Sequence, residues 1–303
     1  MPDTMEARTR SVASEAMERD AGLRQAATSS GLFTRLRDGL KRVTVDGEEF
    51  WVTEGDTLLD EDQLAIFAFA RESADAAHAA AQSAGMAGLG TAGIAEPASA
   101  RIVGILQNNR IVRWAPGVVL TYRLARDSFT SQERYDQARL MMEQATKAWE
   151  ETCGVKFEHR SELDARPGVG QEGAVFVVRE FDSGGQFIAA AFFPNDPRNR
   201  RRVLIDPSFF DPNLSFDQVG VLRHELGHVI GLRHEHIRSG APAACPDEPL
   251  FDTIDITRYD PQSVMHYFCG GVGSRELNIT TVDRNGTRQI YGPPLAGVMN
   301  IEP

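Results

Sequence analysis

The sequence predicts an α+β protein in two parts, an N-terminal region at residues 1–100 and a domain at residues 101–303. In the second part, short apolar runs with strand character alternate with two long stretches of helical periodicity. Between the parts, residues 85–100 read GMAGLGTAGIAEPASA, a run of small and nearly uncharged residues. That composition is typical of a flexible linker, so we place the boundary near residue 100.

A hairpin is the best-defined element of the N-terminal region. Residues 41–45 and 49–53 have strand character and flank Asp46-Gly47, a dipeptide typical of tight hairpin turns. A helix is predicted over residues 61–84, whereas the polar residues 1–30 are expected to be loosely helical or disordered.

Two long helices organise the predicted domain. The first is expected to start at a capping box on Thr130 and to continue to about Thr152. The second is expected to start at Ser215 and to end near Ile230, with a broad apolar face that packs on a sheet. The strands of that sheet are predicted at residues 118–123, 155–159, 174–178 and 203–206.

A basic run, Arg198, Arg200, Arg201 and Arg202, precedes the last of these strands. We expect it to be a solvated turn, because charge runs usually face water. The alternative is that these arginines bind acidic side chains of a substrate.

The overall charge excludes one class of partner. The chain has 43 acidic and 32 basic residues and a net charge of −11, and such a surface repels phosphate backbones. We therefore expect no nucleic-acid partner. No apolar run approaches the roughly 18 residues of a membrane span, so none is predicted. The first residues also lack the apolar segment of a signal peptide.

One motif predicts a metal site. His224 and His228 are four residues apart, which on a helix places both imidazoles on one face, where they can bind one Zn²⁺. Gly231 can end the helix with a positive φ and bring His234 back as a third ligand. Glu225 lies beside the first ligand and can serve as a general base. Three protein ligands with one open position are typical of a catalytic zinc site.

The alternative interpretation is a buried helix whose histidines are only hydrogen-bonded. A lone His-x-x-x-His pair would favour that interpretation. Five of the seven histidines, however, fall between residues 224 and 266, and this clustering argues for a metal.

The motif His-Glu-x-x-His-x-x-Gly-x-x-His at 224–234 resembles the signature of the metzincin zinc peptidases. The following Glu235 and the segment Ser-Val-Met-His-Tyr at 263–267 resemble the astacin subfamily. The resemblance implies that Met265 forms the Met-turn beneath the metal. It implies that Tyr267 is an extra metal ligand that swings away and stabilises the transition state.

This resemblance implies a zinc-dependent endopeptidase with one Zn²⁺ per chain, acting on proteins or peptides as a monomer. It implies a metzincin-like fold, a twisted and mostly parallel sheet with an antiparallel edge strand, two long helices and zinc in a cleft. Residues 184–191 look like the family's edge strand, which can hold an extended substrate. Glu235 is implied to anchor the new N-terminus of the mature domain, near residues 95–105.

The N-terminal region carries a possible switch. Residues 53–56, Thr-Glu-Gly-Asp, resemble the pro-region segment with which astacins block their zinc, although Thr53 replaces the family's Phe. The resemblance implies a zymogen in which Asp56 binds the metal until an activating protease cuts the linker. The alternative is that Gly55-Asp56 is an ordinary turn.

The three cysteines leave the redox state open. A bridge between Cys245 and Cys269 would tie the loop that carries Tyr267 to the region after His234, but connectivity cannot be read from sequence. Cys153 matches a family cysteine whose usual partner is absent, so we expect it to be free. Family precedent implies a secreted or extracytoplasmic protein, with a cytoplasmic location as the alternative.

Two rival functions remain at this point. One is a non-catalytic zinc-binding module that presents its edge groove to a partner, although such a module would be expected to lose Glu225. The other is a metzincin of another subfamily that lacks the aspartate switch. Whether Asp56 contacts the metal discriminates between the latent astacin-like peptidase and this second rival.

Overall fold

The computed structural model describes residues 11–83, 103–107, 110–237, 242 and 253–295. The predicted linker at 85–100 lies outside the described residues. The helices are α1 (Val12–Arg19), α2 (Ala21–Thr28), α3 (Gly31–Gly39), α4 (Glu61–Ser83), α5 (Gln132–Glu150), α6 (Gln218–Val229) and α7 (Thr281–Tyr291). The strands are β1 (Arg42–Val45), β2 (Glu48–Thr53), β3 (Thr57–Leu59), β4 (Val103–Gln107), β5 (Arg110–Ile111), β6 (Val119–Leu124), β7 (Lys156–His159), β8 (Phe176–Glu180), β9 (Ala189–Ala191), β10 (Arg202–Ile205) and β11 (Thr253–Asp255).

The largest sheet has five strands in the order β7-β6-β8-β10-β9. The first four strands are parallel to one another, and β9 pairs with β10 in the antiparallel direction at the edge. This sheet and its two long helices confirm the predicted α+β class and its antiparallel edge strand.

One face of this sheet packs against α5 and α6 to form the main core. Val203 and Ile205 of β10 point into it, as the alternation of a strand requires. Trp149 of α5 is fully buried there, and its indole nitrogen donates to the carbonyl oxygen of Arg223 at 2.9 Å. This bond fixes α6 against α5.

The opposite face is covered by the N-terminal segment, by which we mean residues 11–83. Leu204 and Ala190 point to this side and form a second core with the hairpin of β1 and β2. Its other buried members are Val43, Val45, Phe50, Val52 and Phe187. The N-terminal segment is therefore packed on the large sheet.

The hairpin turn is the one that the Asp-Gly dipeptide predicts. Val45 pairs with Glu48, and the two residues between them have positive φ, 55° at Asp46 and 82° at Gly47. Positive φ at both central positions is the type I′ turn, which matches the twist of the strands.

The rest of the N-terminal segment forms a small helical layer with its own core. Trp51 points away from the large sheet, and its indole nitrogen donates to the carbonyl oxygen of Arg37 at 2.9 Å. Residues predicted to be loosely helical or disordered form α1 and α2 in the described range. The buried members of this core are Met17, Ala27, Phe33, Trp51, Leu64, Ala65, Phe67 and Ala68.

Both long helices begin later than predicted. The cap of α5 is Ser131 rather than Thr130, whose amide donates to the carboxylate of Glu180 at 2.8 Å. The cap of α6 is Asp217 rather than Ser215, and its carboxylate accepts from the amide of Gly220 at 2.6 Å. For α5, Thr130 is bound to Glu180, which is distant in sequence, and Ser131 caps the helix.

Among the described residues, no helix combines the length and the apolar character that crossing a membrane requires.

Candidate metal centre

Helix α6 ends in a turn that returns the chain to its own face. Gly231 has φ 92°, its amide donates to the carbonyl of His228, and the amide of Leu232 donates to that of Gly227, both at 2.9 Å. These two bonds define a Schellman motif, which ends the helix and satisfies its last carbonyls. A side chain at position 231 would meet the carbonyl oxygen of Val112 at 2.8 Å. Glycine is therefore required here by conformation and by space.

The three predicted histidines come together at this turn. His224, His228 and His234 are all buried, and Nε2 of His228 lies 3.1 Å from Nε2 of His234. Nδ1 of His224 donates to the carbonyl of Val264 at 2.7 Å, and Nδ1 of His228 donates to that of Leu232 at 2.9 Å. Since a carbonyl only accepts, these bonds place the proton on Nδ1 and leave a lone pair on Nε2.

Asp56 lies among the three histidines. Its carboxylate oxygens are 3.3 Å from Nε2 of His224, 3.9 Å from that of His228 and 3.2 Å from that of His234. Burial raises the pKa of this carboxyl group. Attraction to His234 and the closeness of the three histidine side chains outweigh burial and hold the pKa well below its usual value.

These four side chains form a donor set that fits a metal ion. Their ligand atoms all lie within 4.8 Å of one another, and Nε2 of His224 has no hydrogen-bond partner despite being buried. Three imidazole nitrogens and one carboxylate oxygen are ligands that Zn²⁺ accepts in tetrahedral sites.

The turn that carries Asp56 is strained and closely packed. Glu54 has φ 58° and Gly55 has φ 91°, both in the left-handed region. A side chain on Gly55 would meet the ring and hydroxyl of Tyr267 at 2.9 Å. Only glycine allows the backbone to approach Tyr267 this closely, and that approach brings Asp56 to the histidines.

Glu54 adds a second carboxylate at the same turn, which sequence reasoning missed. Its side chain is 3% exposed and forms an ion pair with Arg233, Oε1 to Nη2, at 2.9 Å. Its other oxygen lies 3.5 Å from Nδ1 of His234. Each of the three histidines thus has an oxygen beside its Nδ1, and for His234 that oxygen comes from the N-terminal segment.

Glu225 lies beside the histidines at one end of a cleft. The carboxylate is buried, and its Oε2 has no hydrogen-bond partner. Burial, and next the negative charge of Asp56, raise the pKa of Glu225 well above its usual value. A carboxylate poised in this way is suited to accepting and returning a proton.

The cleft continues from Glu225 as an apolar cavity of about 340 Å³. Strand β9, the edge strand of the sheet, contributes Ala189 to one wall. Its apolar lining includes Phe187, Ile188, Phe216, Val221 and Leu277. The cavity can accept an apolar side chain next to the histidines.

Met265, the predicted Met-turn residue, packs against α6. It is fully buried, and a side chain at Gly227 would meet its sulfur at 2.3 Å. Gly227 therefore makes room for Met265. We did not predict this role, which a glycine inside a helix could have indicated.

Asp283 holds the segment before Met265 and was also missed. Its carboxylate accepts from the hydroxyl of Ser263 at 2.5 Å and from the amides of Val264 and Thr280 at 2.9 Å each. It completes the capping box of α7 while it fixes Val264, whose carbonyl orients His224. The start of α7 and the first histidine are thereby connected.

Tyr267 and Glu235 flank the histidines on the same side. The ring of Tyr267 is 4.6 Å from those of His234 and His236, centroid to centroid. Glu235 is buried, its amide donates to the carbonyl of Met265 at 2.8 Å, and its carboxylate accepts from the amide of Asp260 at 2.9 Å.

The cysteines are only partly described. Cys153 is free and buried, and burial raises the pKa of its thiol to about 11. Cys269 is disulfide-bonded. Cys245, its predicted partner, lies outside the described residues.

Residues 113–241 match a family model described as Matrixin. Matrix metalloproteinase-21 of Mus musculus is 32% identical over 141 residues, which are 44% of this chain and 24% of that protein. The same enzyme of Cynops pyrrhogaster is 29% identical over 161 residues, 50% of this chain and 26% of that protein. Stromelysin-1 of Equus caballus is 26% identical over 184 residues, which are 58% of this chain and 32% of that protein. The chain thus spans about a quarter to a third of these relatives.

Two solved structures are also similar to the chain, each at 16% sequence identity. Myroilysin gives a TM-score of 0.41 and covers 60% of this chain and 97% of its own. High choriolytic enzyme 1, a hatching enzyme zinc-protease from Oryzias latipes, gives a TM-score of 0.35 and covers 58% of this chain and 90% of its own.

The matrixin match supports the predicted metalloproteinase class, whereas the astacin subtype stays a prediction. The matched range ends before Tyr267 and excludes Asp56. Two of the residues that carry the astacin resemblance therefore lie outside it.

Proposed function

Because residues 113–241 match the matrixin model, we propose that this chain is a zinc-dependent endopeptidase made as a latent precursor. The observation that carries the proposal is the convergence of three Nε2 atoms beside the buried Glu225, at the end of an open cleft. His224, His228 and His234 would hold the Zn²⁺. A bound Zn²⁺ supplies Lewis acidity, which acidifies water and polarises a carbonyl group.

Glu225 is the proton carrier in this proposal. Its carboxylate accepts a proton from the attacking water and returns it to the amine that leaves. The hydroxyl of Tyr267 donates to the oxygen on which negative charge develops. The burial of the Glu225 carboxylate next to His224 and its unpartnered Oε2 support this role.

Substrate binding is assigned to the edge of the sheet. The outer side of β9 can pair with an extended peptide, and the apolar cavity beside Glu225 takes one of its side chains. We therefore expect protein or peptide substrates. The disulfide at Cys269 favours secretion or another oxidising location.

Latency is assigned to the N-terminal region, residues 1–100, which acts as a pro-region. Asp56 fills the position that water needs, and Gly55 against Tyr267 holds the tyrosine side of the cleft closed. Cleavage by another protease within 85–100 would precede activity. The aspartate switch, Tyr267 and Glu235 are the features that favour an astacin-like subtype.

The test compares zinc content and hydrolysis of unstructured protein substrates in three forms of the protein. These are the full chain, a version that begins near Ile102, and that version with Glu225→Gln. We expect zinc in all three and hydrolysis in the short form only, reduced about 10²- to 10⁴-fold by the substitution.

Glu158→Gln is the matched control, because Glu158 is exposed on the far edge strand of the same sheet. Turnover that persists in Glu225→Gln would remove Glu225 as the base. Zinc without hydrolysis in every form would favour the non-catalytic binding module instead.

A further inference from the structure

The sheet face beneath the N-terminal segment carries three arginines that the proposed chemistry does not use. Arg179 lies on β8, Arg202 on β10 and Arg200 in the turn before β10. Their side chains are 5%, 7% and 14% exposed. We call these three residues the arginine cluster.

The arginine cluster is paired with carboxylates of the N-terminal segment. Arg179 binds Asp46 with two hydrogen bonds of 2.8 Å, and Nη1 of Arg202 donates to the same carboxylate at 2.9 Å. Arg200 forms ion pairs with Glu48, at 3.0 Å, and with Asp60. The pair of Arg179 with Asp46 is of the stronger kind, because two parallel hydrogen bonds fix its geometry.

Apolar contacts reinforce these pairs. The guanidinium carbons of Arg200 and Arg202 each lie 5.1 Å from the centroid of the Phe50 ring. Around it, the hairpin and the sheet share the second core described above. The surface thus fits a hairpin with carboxylates at its turn and apolar residues facing the sheet.

These contacts are separate from the metal centre. They gather at the β1–β2 turn, at one end of β2, whereas Asp56 follows the other end. A strand of this length spans about 20 Å. On the N-terminal segment, the residues that make these contacts lie between positions 43 and 60. A cut within 85–100 therefore leaves all of them on the severed segment.

We propose that the arginine cluster keeps the N-terminal segment bound after the linker is cut, so that the severed segment remains as a non-covalent inhibitor. While the linker is intact, the effective concentration of the segment is on the order of millimolar. After cleavage, it equals the concentration of the protein in solution. Dissociation becomes the second step of activation. The inference rests on the proposed function, because an inhibitor requires an activity to inhibit.

The experiment uses the full chain with a recognition sequence for a specific protease placed within 85–100. The purified protein is cut and passed over a sizing column at micromolar concentration, and its zinc content and peptidase activity are measured across a dilution series. We expect the two fragments to elute together, and the specific activity to rise at least tenfold on dilution. Fragments that separate at once, with activity independent of dilution, would overturn the proposal.

Two variants test the arginine cluster itself. Asp46→Asn removes one charge at nearly constant shape and is expected to raise the dissociation constant about tenfold. Glu48→Gln, which removes a partner of Arg200, serves if the first variant does not fold. Glu49→Gln is the control, because Glu49 neighbours Glu48 on β2 and its ion pair with Arg42 is exposed. Equal retention in wild type and both test variants would show that the cluster does not hold the segment.

Co-elution and zinc content do not depend on catalysis, so the two proposals fail separately. Fragments that stay together but never hydrolyse a substrate would refute the peptidase and leave retention standing. Fragments that separate and hydrolyse a substrate would refute retention and leave the peptidase standing.

Discussion

Two turns at opposite ends of β2 use the same backbone device for different purposes. At Asp46-Gly47 and at Glu54-Gly55, an acidic residue and a glycine both adopt positive φ. The first turn presents its carboxylate to arginines on the sheet, and the second brings Asp56 to three histidines. What surrounds each turn also differs, because position 47 is open whereas position 55 lies against Tyr267.

The comparison shows that local conformation and partner are separate properties of a turn. Glycine supplies the conformation in both places, at little steric cost. The partner is supplied by distant residues, the arginine cluster in one case and the metal ligands in the other. We expect the first turn to determine whether the N-terminal segment stays bound, and the second to determine whether the bound segment blocks activity.

The largest expected difference comes from removing one charge at each turn of the uncut chain. Asp56→Asn should raise hydrolysis by about a hundredfold, because it removes a buried charge from the histidines. Asp46→Asn should raise hydrolysis no more than about threefold, because the tether keeps the segment in place. Both effects are measured as initial rates of hydrolysis at equal zinc content. Similar rates for the two variants would contradict the different roles proposed for the two turns.

The two glycines give a smaller difference. Gly47→Ala should cost about 1 kcal/mol of folding stability, from backbone strain alone. Gly55→Ala adds a contact of 2.9 Å with Tyr267, so we expect about 2–4 kcal/mol and a roughly tenfold rise in the activity of the uncut chain. Thermal unfolding and initial rates test the pair. A larger loss of stability at Gly47 would contradict the packing of Gly55.

Low pH should weaken the binding of Asp56, which follows the Glu54-Gly55 turn, to the three histidines. The pKa of Asp56 is held well below 3.8 in the bound segment, so the bound state takes up fewer protons than the released state. Its contribution is therefore complete above about pH 4 and is lost as the pH falls through the lowered value. In metal-free protein, the retention of the cut segment should fall a few-fold as the pH drops below about 4. Asp56→Asn should reduce this dependence.

The smallest expected effect is that of salt, and it concerns the first turn. Asp46 and Glu48 are 41% and 40% exposed, so their ion pairs are partly screened. Raising the ionic strength from about 0.05 to 0.5 M should weaken retention of the cut segment a few-fold, less in Asp46→Asn. An unchanged elution profile would mean that the shared apolar core holds the segment.

The metal centre could be predicted from sequence because its main parts are local. His224, His228 and His234 lie on one helix and its exit turn, where spacing and a glycine determine the geometry. Asp56 could be placed near them only through a family resemblance, since nothing in residues 53–57 specifies a partner so far along the chain.

The residues that we missed act over long sequence distances. The basic run before β10 was expected to be a solvated turn, yet Arg200 and Arg202 are nearly buried against the N-terminal segment. Gly227 and Asp283 act through Met265 and Val264, which are close in space but not in sequence. A charge pattern alone does not show whether a run of arginines faces water or carboxylates elsewhere in the chain.

The separate core of the N-terminal segment has a consequence for biosynthesis. Residues 11–83 leave the ribosome before the histidines of the metal centre and contain the apolar residues that pack their helices and hairpin together. Asp56 precedes His234 by 178 positions, which corresponds to roughly 10–35 s of translation. The turn that carries Asp56 is therefore synthesised well before the last histidine, and we expect it to be available to the three histidines as they fold together.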